Sequence, residues 1–281
     1  VALHDHFSNC FMFFRLSDGE NACASDIGVD VCASCIARHH PTLRMTVDAI
    51  AAALVGRNAT YRNELSAADR LLALSEAQCR DTRPLPIMRG LNIEALPLSP
   101  PEVRVEPRVP SRMPGATLRL VSWGSLVPGK GFHVLLEAIT RLADPTRVTI
   151  DHFGRILDEE YRTRLDQYRV RVRFEVHGTF DAAALHRKAP EYDLAVFPSA
   201  FSETHGYVVD EAIVLGLPVV VSDRGAPKDR IGSRGVAFPS GDAARLAPIL
   251  AGFLADPACR ARLREGLPRL GPPIGAHVDA R

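Results

Sequence analysis

Between residues 117 and 254, short apolar runs alternate with stretches in which apolar residues recur every three to four positions. Such runs occupy 117–123, 148–153, 172–176, 194–197 and 218–222, and those at 194–197 and 218–222 lack polar alternation, the pattern of strands buried on both faces. Helical spacing appears at 132–142, 157–168, 182–188, 206–215 and 243–254. Strands of this kind followed by helices predict a parallel sheet covered on both sides, a doubly wound α/β domain. The first hundred residues read differently. A strand at 1–3 precedes an irregular cysteine-bearing stretch to Cys35, helices at 46–54 and 61–67, and a strand at 71–74 followed by Ser75. A sheet of that sort normally needs more strands, so this segment reads as the second half of an α/β domain whose first half would precede Val1. From 91 to 114, Pro97, Pro100, Pro101, Pro107, Pro110 and Pro114 occur with little apolar periodicity, as in an extended connection. The predicted organisation is a partial α/β domain at 1–96, a proline-rich linker at 97–115, a Rossmann-like domain at 116–270 and a tail at 271–281.

Composition narrows the function classes. The chain has 281 residues, 46% of them hydrophobic and 24% charged, as in soluble globular proteins and unlike disordered or collagenous chains. Lys plus Arg number 34 against 33 for Asp plus Glu, so no broad basic field exists to attract polyanions and nucleic acid is not an expected partner. Because only Lys130, Lys188 and Lys228 are lysines, a lysine is more informative here than an arginine. The longest apolar stretch, 212–221, is broken by Gly216 and Pro218, and no transmembrane segment is expected. The start lacks the cationic flank and long apolar core of a signal peptide, which predicts a cytoplasmic protein. In that compartment, the six cysteines are expected to be thiols or metal ligands and not disulfides.

Two loops carry candidate chemistry. The first, Gly124-Ser125-Leu126-Val127-Pro128-Gly129-Lys130-Gly131, joins a strand to a helix; its glycines allow close backbone approach and Lys130 offers a cation, although the loop is not the Walker pattern. The second runs from Phe197 to Ala212 and enters a helix near Gly206, where the amides of Gly206, Tyr207 and Val208 would face an anion. Glu203 and Glu211 flank that helix start. Carboxylates repel phosphate, so they suit sugar hydroxyls better. On spacing alone, Glu203 as a helix cap and Glu211 as a solvated or salt-bridged residue are equal alternatives, and His4 reads as a capping or core histidine.

Three stretches, 124–131, 197–212 and Gly216-Leu217-Pro218-Val219-Val220-Val221-Ser222-Asp223 followed by Gly225-Ala226, resemble the retaining nucleotide-sugar glycosyltransferases of family 4. This family, the glycosyl transferases group 1, has the two-domain GT-B fold. The likeness covers most of 118–250, and His4-Asp5, Ala68-Asp69 and Ser75 are similar to the later part of the family's acceptor domain. It implies that Lys130 contacts the diphosphate of a UDP- or GDP-sugar donor, with Gly124 and Ser125 in the same loop. The backbone of His205, Gly206, Tyr207 and Val208 would receive that diphosphate, and Glu211 the ribose hydroxyls. Glu203 would lie against the transferred sugar, and His4 matches the family histidine that reaches it from the opposite domain. The acceptor would be a saccharide or a lipid-linked glycan, with peripheral membrane association in the second case and no catalytic metal.

Two features depart from the family. Ser125 stands where members commonly have arginine, removing one diphosphate cation unless Arg224 or another substitutes, and the family's first strand and glycine-rich loop would lie before Val1. A truncated, non-catalytic nucleotide-binding or interaction module is therefore the alternative function, with a sugar-nucleotide epimerase ranked behind it. Separately, Cys10, Cys23, Cys32 and Cys35 form a Cys-x12-Cys-x8-Cys-x2-Cys set that offers four thiolates to a structural zinc, with free buried thiols as the alternative. Cys79 and Cys259 read as isolated packing residues, and His39, His40 and His152 receive no function.

Overall fold

A computed structural model describes residues 1–17, 21–98 and 117–265. It divides into two compact units, Val1–Leu98 with Ala200–His205, and Ser99–Ser199 with Gly206–Arg281. Most of the expected linker, and all of the tail at 271–281, lie outside the described residues.

The first unit runs β1 (Ala2–Leu3), β2 (Leu16–Ser17), β3 (Asn21–Ala22), α1 (Val29–His39), α2 (Val47–Ser66), β4 (Leu71–Ala73), α3 (Glu76–Thr82) and β5 (Ile93–Ala95). A parallel sheet of order β1-β4-β5 buries Leu3, Leu71, Ala73 and Ile93 with Leu65 and Met88. Two expectations change. The stretch before Cys35 is partly helical, because Val29, Cys32, Ala33 and Ile36 fall on one α1 face against Ile50 and Leu54 of α2. The predicted helices at 46–54 and 61–67 are one helix, capped by the Thr46 hydroxyl, which accepts from the Ala49 amide at 3.2 Å. Burial of Ile50, Leu54 and Leu65 outweighs the cost of about 1 kcal/mol for Gly56 in its interior.

The second unit runs β6 (Leu118–Trp123), α4 (Phe132–Thr140), β7 (Val148–Phe153), α5 (Glu159–Asp166), β8 (Arg173–Val176), α6 (Ala182–Lys188) and β9 (Leu194–Phe197). It continues with α7 (Tyr207–Val214), β10 (Val219–Ser222), α8 (Ala226–Ile231), β11 (Gly235–Phe238), α9 (Ala243–Ala255) and α10 (Pro257–Glu265). The six strands form a parallel sheet of order β11-β10-β9-β6-β7-β8. Alternate strand residues serve two cores. Leu118, Leu120, Val196 and Val220 pack with Leu135, Leu246 and Leu250, while Val121, Trp123, Phe197 and Val221 pack with Val209, Ala212 and Ile213. This is the doubly buried, parallel α/β architecture of GT-B type that the apolar runs predict. Strand β11 is an addition: its Gly235 lets the backbone approach β10, since a Cβ there would lie 2.1 Å from the Val219 carbonyl oxygen.

Candidate functional site

β6 and β9 are neighbours at the point where strand order reverses, with β7 and β8 following on one side and β10 and β11 on the other. In open α/β sheets, ligands bind beyond the carboxyl ends of strands at such a switch point. The two candidate loops leave these two strands. They pack directly together: Gly131 has φ +68°, and a Cβ on it would lie 2.0 Å from the Pro198 carbonyl oxygen. Residues Pro128–Lys130 form a single 3₁₀ turn closed by the Gly131 amide, which donates to the Pro128 carbonyl at 2.9 Å. Lys130 is half-buried in that turn, and Ser125 is exposed.

A buried polar trio shapes the start of the first loop. Ser122 of β6 and His152 of β7 are cross-strand partners, and the Ser122 hydroxyl lies 2.7 Å from Nδ1 of His152. His152 Nε2 is 2.8 Å from the Gly124 carbonyl oxygen. A carbonyl only accepts, so Nε2 carries the proton and Nδ1 accepts from Ser122. Gly154 stands against the same carbonyl, because a Cβ there would lie 1.9 Å from it. His152 thus fixes the position of Gly124, a role missed in the sequence, where a serine and a histidine near the carboxyl ends of two predicted strands were the available signal.

Burial, together with nearby His177, pushes the His152 pKa down to about 4, against the upward pull of its bond to Gly124. The unfolded chain therefore takes up a proton below about pH 6.5 that the folded chain refuses until about pH 4. Stability is expected to fall across that window as pH is lowered, by roughly 3 kcal/mol from this group, and to level off below it. Urea unfolding of the protein and of His152→Gln checks this. The slope over that window should be shallower in the variant, and equal slopes would refute the assignment.

α7 opens on Gly206, at φ +78°, which packs on α8; a Cβ there would lie 2.9 Å from Cγ of Pro227. The amides of Tyr207 and Val208 open the first turn of α7. Glu211, one turn further on, is half-buried, and its Oε2 accepts from the Trp123 indole N–H at 2.6 Å. The chain's single tryptophan, 6% exposed at the end of β6, thereby ties the second loop's helix to the first loop's strand. Asp210 is paired with Arg230 of α8, Nε to Oδ1 at 2.9 Å, while Arg224 is exposed in the turn after β10. At the loop's entry, the Ser199 carbonyl accepts from the Ser222 hydroxyl at 2.5 Å and the Ser240 hydroxyl at 3.3 Å. Gly124, Ser125, Lys130, Gly206, Tyr207, Val208 and Glu211 are therefore gathered at one end of the second unit's sheet.

Glu203, His205 and His4 belong to the first unit. Segment Ala200–His205 lies at the carboxyl ends of β1 and β4: the Thr204 hydroxyl donates to the His4 carbonyl at 3.0 Å, and the Ser75 hydroxyl donates to the Thr204 carbonyl at 2.7 Å. Ser75 also caps α3, accepting from the Gln78 amide at 3.0 Å. The Gln78 side chain donates to the Leu3 carbonyl at 2.9 Å and accepts from the Leu74 amide at 2.7 Å, fixing both strand ends. Ser202 bonds to Asp81, and His6 Nε2 donates to the Ser202 carbonyl at 2.9 Å. His205 is buried with Nδ1 3.5 Å from the Leu74 carbonyl, Glu203 is half-buried, and the His4 side chain is exposed, neither core nor cap. His6, two positions after His4, is also buried, and burial lowers its pKa.

The four clustered cysteines are not joined in disulfides and line one cavity of about 320 Å³ in the first unit. Burial and then neighbouring Cys10 push the Cys23 thiol up to about 11, with Cys32 and Cys35 adding to the rise and Arg15 opposing it. Among the described residues, no helix is long and apolar enough to cross a membrane.

Residues 117–256, which contain both loops and the switch point, match the family model described as glycosyl transferases group 1. This segment resembles the glycosyl transferases group 1. Over 181 residues the chain is 30% identical to a phosphatidyl-myo-inositol mannosyltransferase of Mycobacterium leprae, an alignment covering 63% of this chain and 46% of that protein. The chain thus spans about half the length of this curated relative. Among solved structures, Anabaena HepE in complex with UDP-glucose is similar at TM-score 0.61 and 22% identity, covering 75% of this chain and 61% of that one. Sucrose-phosphate synthase of Thermosynechococcus elongatus is similar at TM-score 0.58 and 19% identity, over 75% and 55% respectively. Likeness at these identities concerns the fold.

Proposed function

We propose that this protein transfers a sugar from a UDP- or GDP-sugar to a saccharide or lipid-linked acceptor, with retention at the anomeric carbon. The observation that carries this reading is the joining, at the switch point, of the two loops of a segment that resembles the glycosyl transferases group 1, Gly131 against Pro198 and Trp123 bonded to Glu211. That arrangement supplies a cation, helix amides and a carboxylate acceptor to one ligand. As the bond from the anomeric carbon to the diphosphate oxygen breaks, negative charge grows on the leaving group. Lys130 and the amides of Tyr207 and Val208 would stabilise it from fixed positions, at no reorganisation cost. The second carboxylate oxygen of Glu211 has acceptor capacity for ribose hydroxyls beyond its bond to Trp123. Glu203 and His4 are assigned to the transferred sugar. No metal takes part in these steps.

The test is transfer from UDP- and GDP-sugars to saccharide and lipid-linked acceptors, with Glu203→Ala as the variant. Loss of a hydrogen bond to a charged group predicts a roughly 10- to 100-fold fall in transfer, with affinity for the nucleoside diphosphate retained in calorimetry. Unchanged transfer removes Glu203 from the sugar site. Nucleotide binding without turnover on any acceptor would favour the non-catalytic module.

A further inference from the structure

We propose that Cys10, Cys23, Cys32 and Cys35 bind one structural zinc ion that braces the irregular segment ahead of α2. The assignment concerns the first unit alone and does not depend on the reaction proposed above. All four residues line one cavity of about 320 Å³, whose wall also includes Met12, Ile36, Leu54 and Ile87. Cys32 and Cys35 stand three positions apart on α1, on neighbouring turns of one face. Cys10 lies in a turn, its amide donating to the His6 carbonyl at 2.7 Å and its carbonyl accepting from the Phe13 amide at 3.0 Å. Cys23 is held beside it by Arg15, whose carbonyl accepts from the Cys23 amide at 2.9 Å and whose guanidinium donates to the carbonyls of Cys23 and Ala24 at 3.4 and 3.1 Å. Three separate stretches of chain thus present thiols to one space.

The chemistry of the set selects the ion. Four thiolates without an oxygen or open ligand suit a closed tetrahedral zinc site, which is structural and not catalytic. Zinc with four thiolates carries a net charge of about −2, following from the ligand charges, and Arg15 and Arg57 line the same cavity to offset it. Among the described residues no three cysteine sulfurs lie within 4.8 Å of one another, whereas Zn–S bonds of about 2.3 Å put sulfurs about 3.7 Å apart. Binding therefore draws the turns of Cys10 and Cys23 onto α1, and metal affinity becomes folding free energy for this segment. Regular secondary structure is slight ahead of α1: β2 and β3 are two residues each, and Phe11, Phe13 and Phe14 are partly exposed.

Metal analysis of the full chain, purified without chelator, is expected to give about one zinc per chain, and cobalt loading should give the strong d–d and sulfur-to-metal charge-transfer bands of a tetrahedral thiolate site. Changing both Cys32→Ser and Cys35→Ser should lower zinc content roughly tenfold or more. To guard against a variant that misfolds, alkylation of the unmutated chain is compared before and after chelation. Cys10, Cys23, Cys32 and Cys35 should become reactive only after zinc is removed, with Cys79 and Cys259 as internal controls. Absence of stoichiometric metal after loading, or alkylation of the four thiols at unchanged rates, overturns the proposal. So does zinc that survives the double change but is lost with His177→Ala, since Asp151, Glu175 and His177 also bring ligand atoms within 4.8 Å of one another.

Discussion

Replacing Lys130 with alanine is expected to lower sugar transfer by roughly 10²- to 10³-fold, the loss measured when one preorganised group is removed from a developing anion. The effect should fall mainly on kcat, because the charge on the departing diphosphate is greater in the transition state than in the bound donor. Ser125, where the family commonly places arginine, makes this lysine the more consequential of the loop's two positions. Lys130 is half-buried in the 3₁₀ turn, and thermal unfolding of the variant separates a loss of stability from a loss of transfer. Steady-state kinetics with a UDP- or GDP-sugar checks the result. A rise in KM with kcat intact would mean that Lys130 only helps to bind the donor, and retained activity would place the diphosphate elsewhere.

Gly131→Ala is expected to destabilise the second unit by about 3 kcal/mol or more and to weaken donor binding with it. Two costs combine. A non-glycine residue in the left-handed region costs about 1–2 kcal/mol, and the new methyl would overlap the Pro198 carbonyl, 2.0 Å from its oxygen. Gly178→Ala separates them, because Gly178 has φ +71° against +68° at Gly131 but nothing within 4 Å of an added Cβ. That variant should lose only the torsional part, about 1–2 kcal/mol. Urea unfolding of both measures the difference, which belongs to the contact between the loops. Equal losses in the two variants would mean that the loops do not depend on that approach.

Much of the second unit was legible in the chain. Apolar runs such as 194–197 and 218–222 have few ways to be satisfied except as strands covered on both faces, and their alternation with helical stretches leads to a parallel sheet. The chemistry of the two loops was legible for the same local reason: glycine, lysine and a helix start are properties of consecutive residues. Strand β11 escaped because Gly235 interrupts the apolar pattern, yet it is the absence of a side chain that allows the close approach to Val219. Helix α1 escaped because its buried face rests on Ala33 and Ile36, with half-buried Val29 and Cys32 beside them, too few large aliphatic residues to set a helical period.

Only the tertiary structure decided how these pieces act on one another. Trp123 and Glu211 are far apart in sequence, as are Gly131 and Pro198, and Ser75 and Thr204, and no local preference of either partner specifies the other. Their pairing follows from strand order, which brings β6 beside β9 and the carboxyl ends of β1 and β4 beside 200–205. The sequence by itself determined which backbone segments become strands and helices, and which loops carry cations, carboxylates or thiols, because those depend on periodicity and residue chemistry within a few positions. Whether Glu211 meets solvent or an indole, and whether His152 is an ordinary strand residue or the support of Gly124, depended on burial and hydrogen-bond satisfaction between distant strands, which exist only once the sheet has assembled.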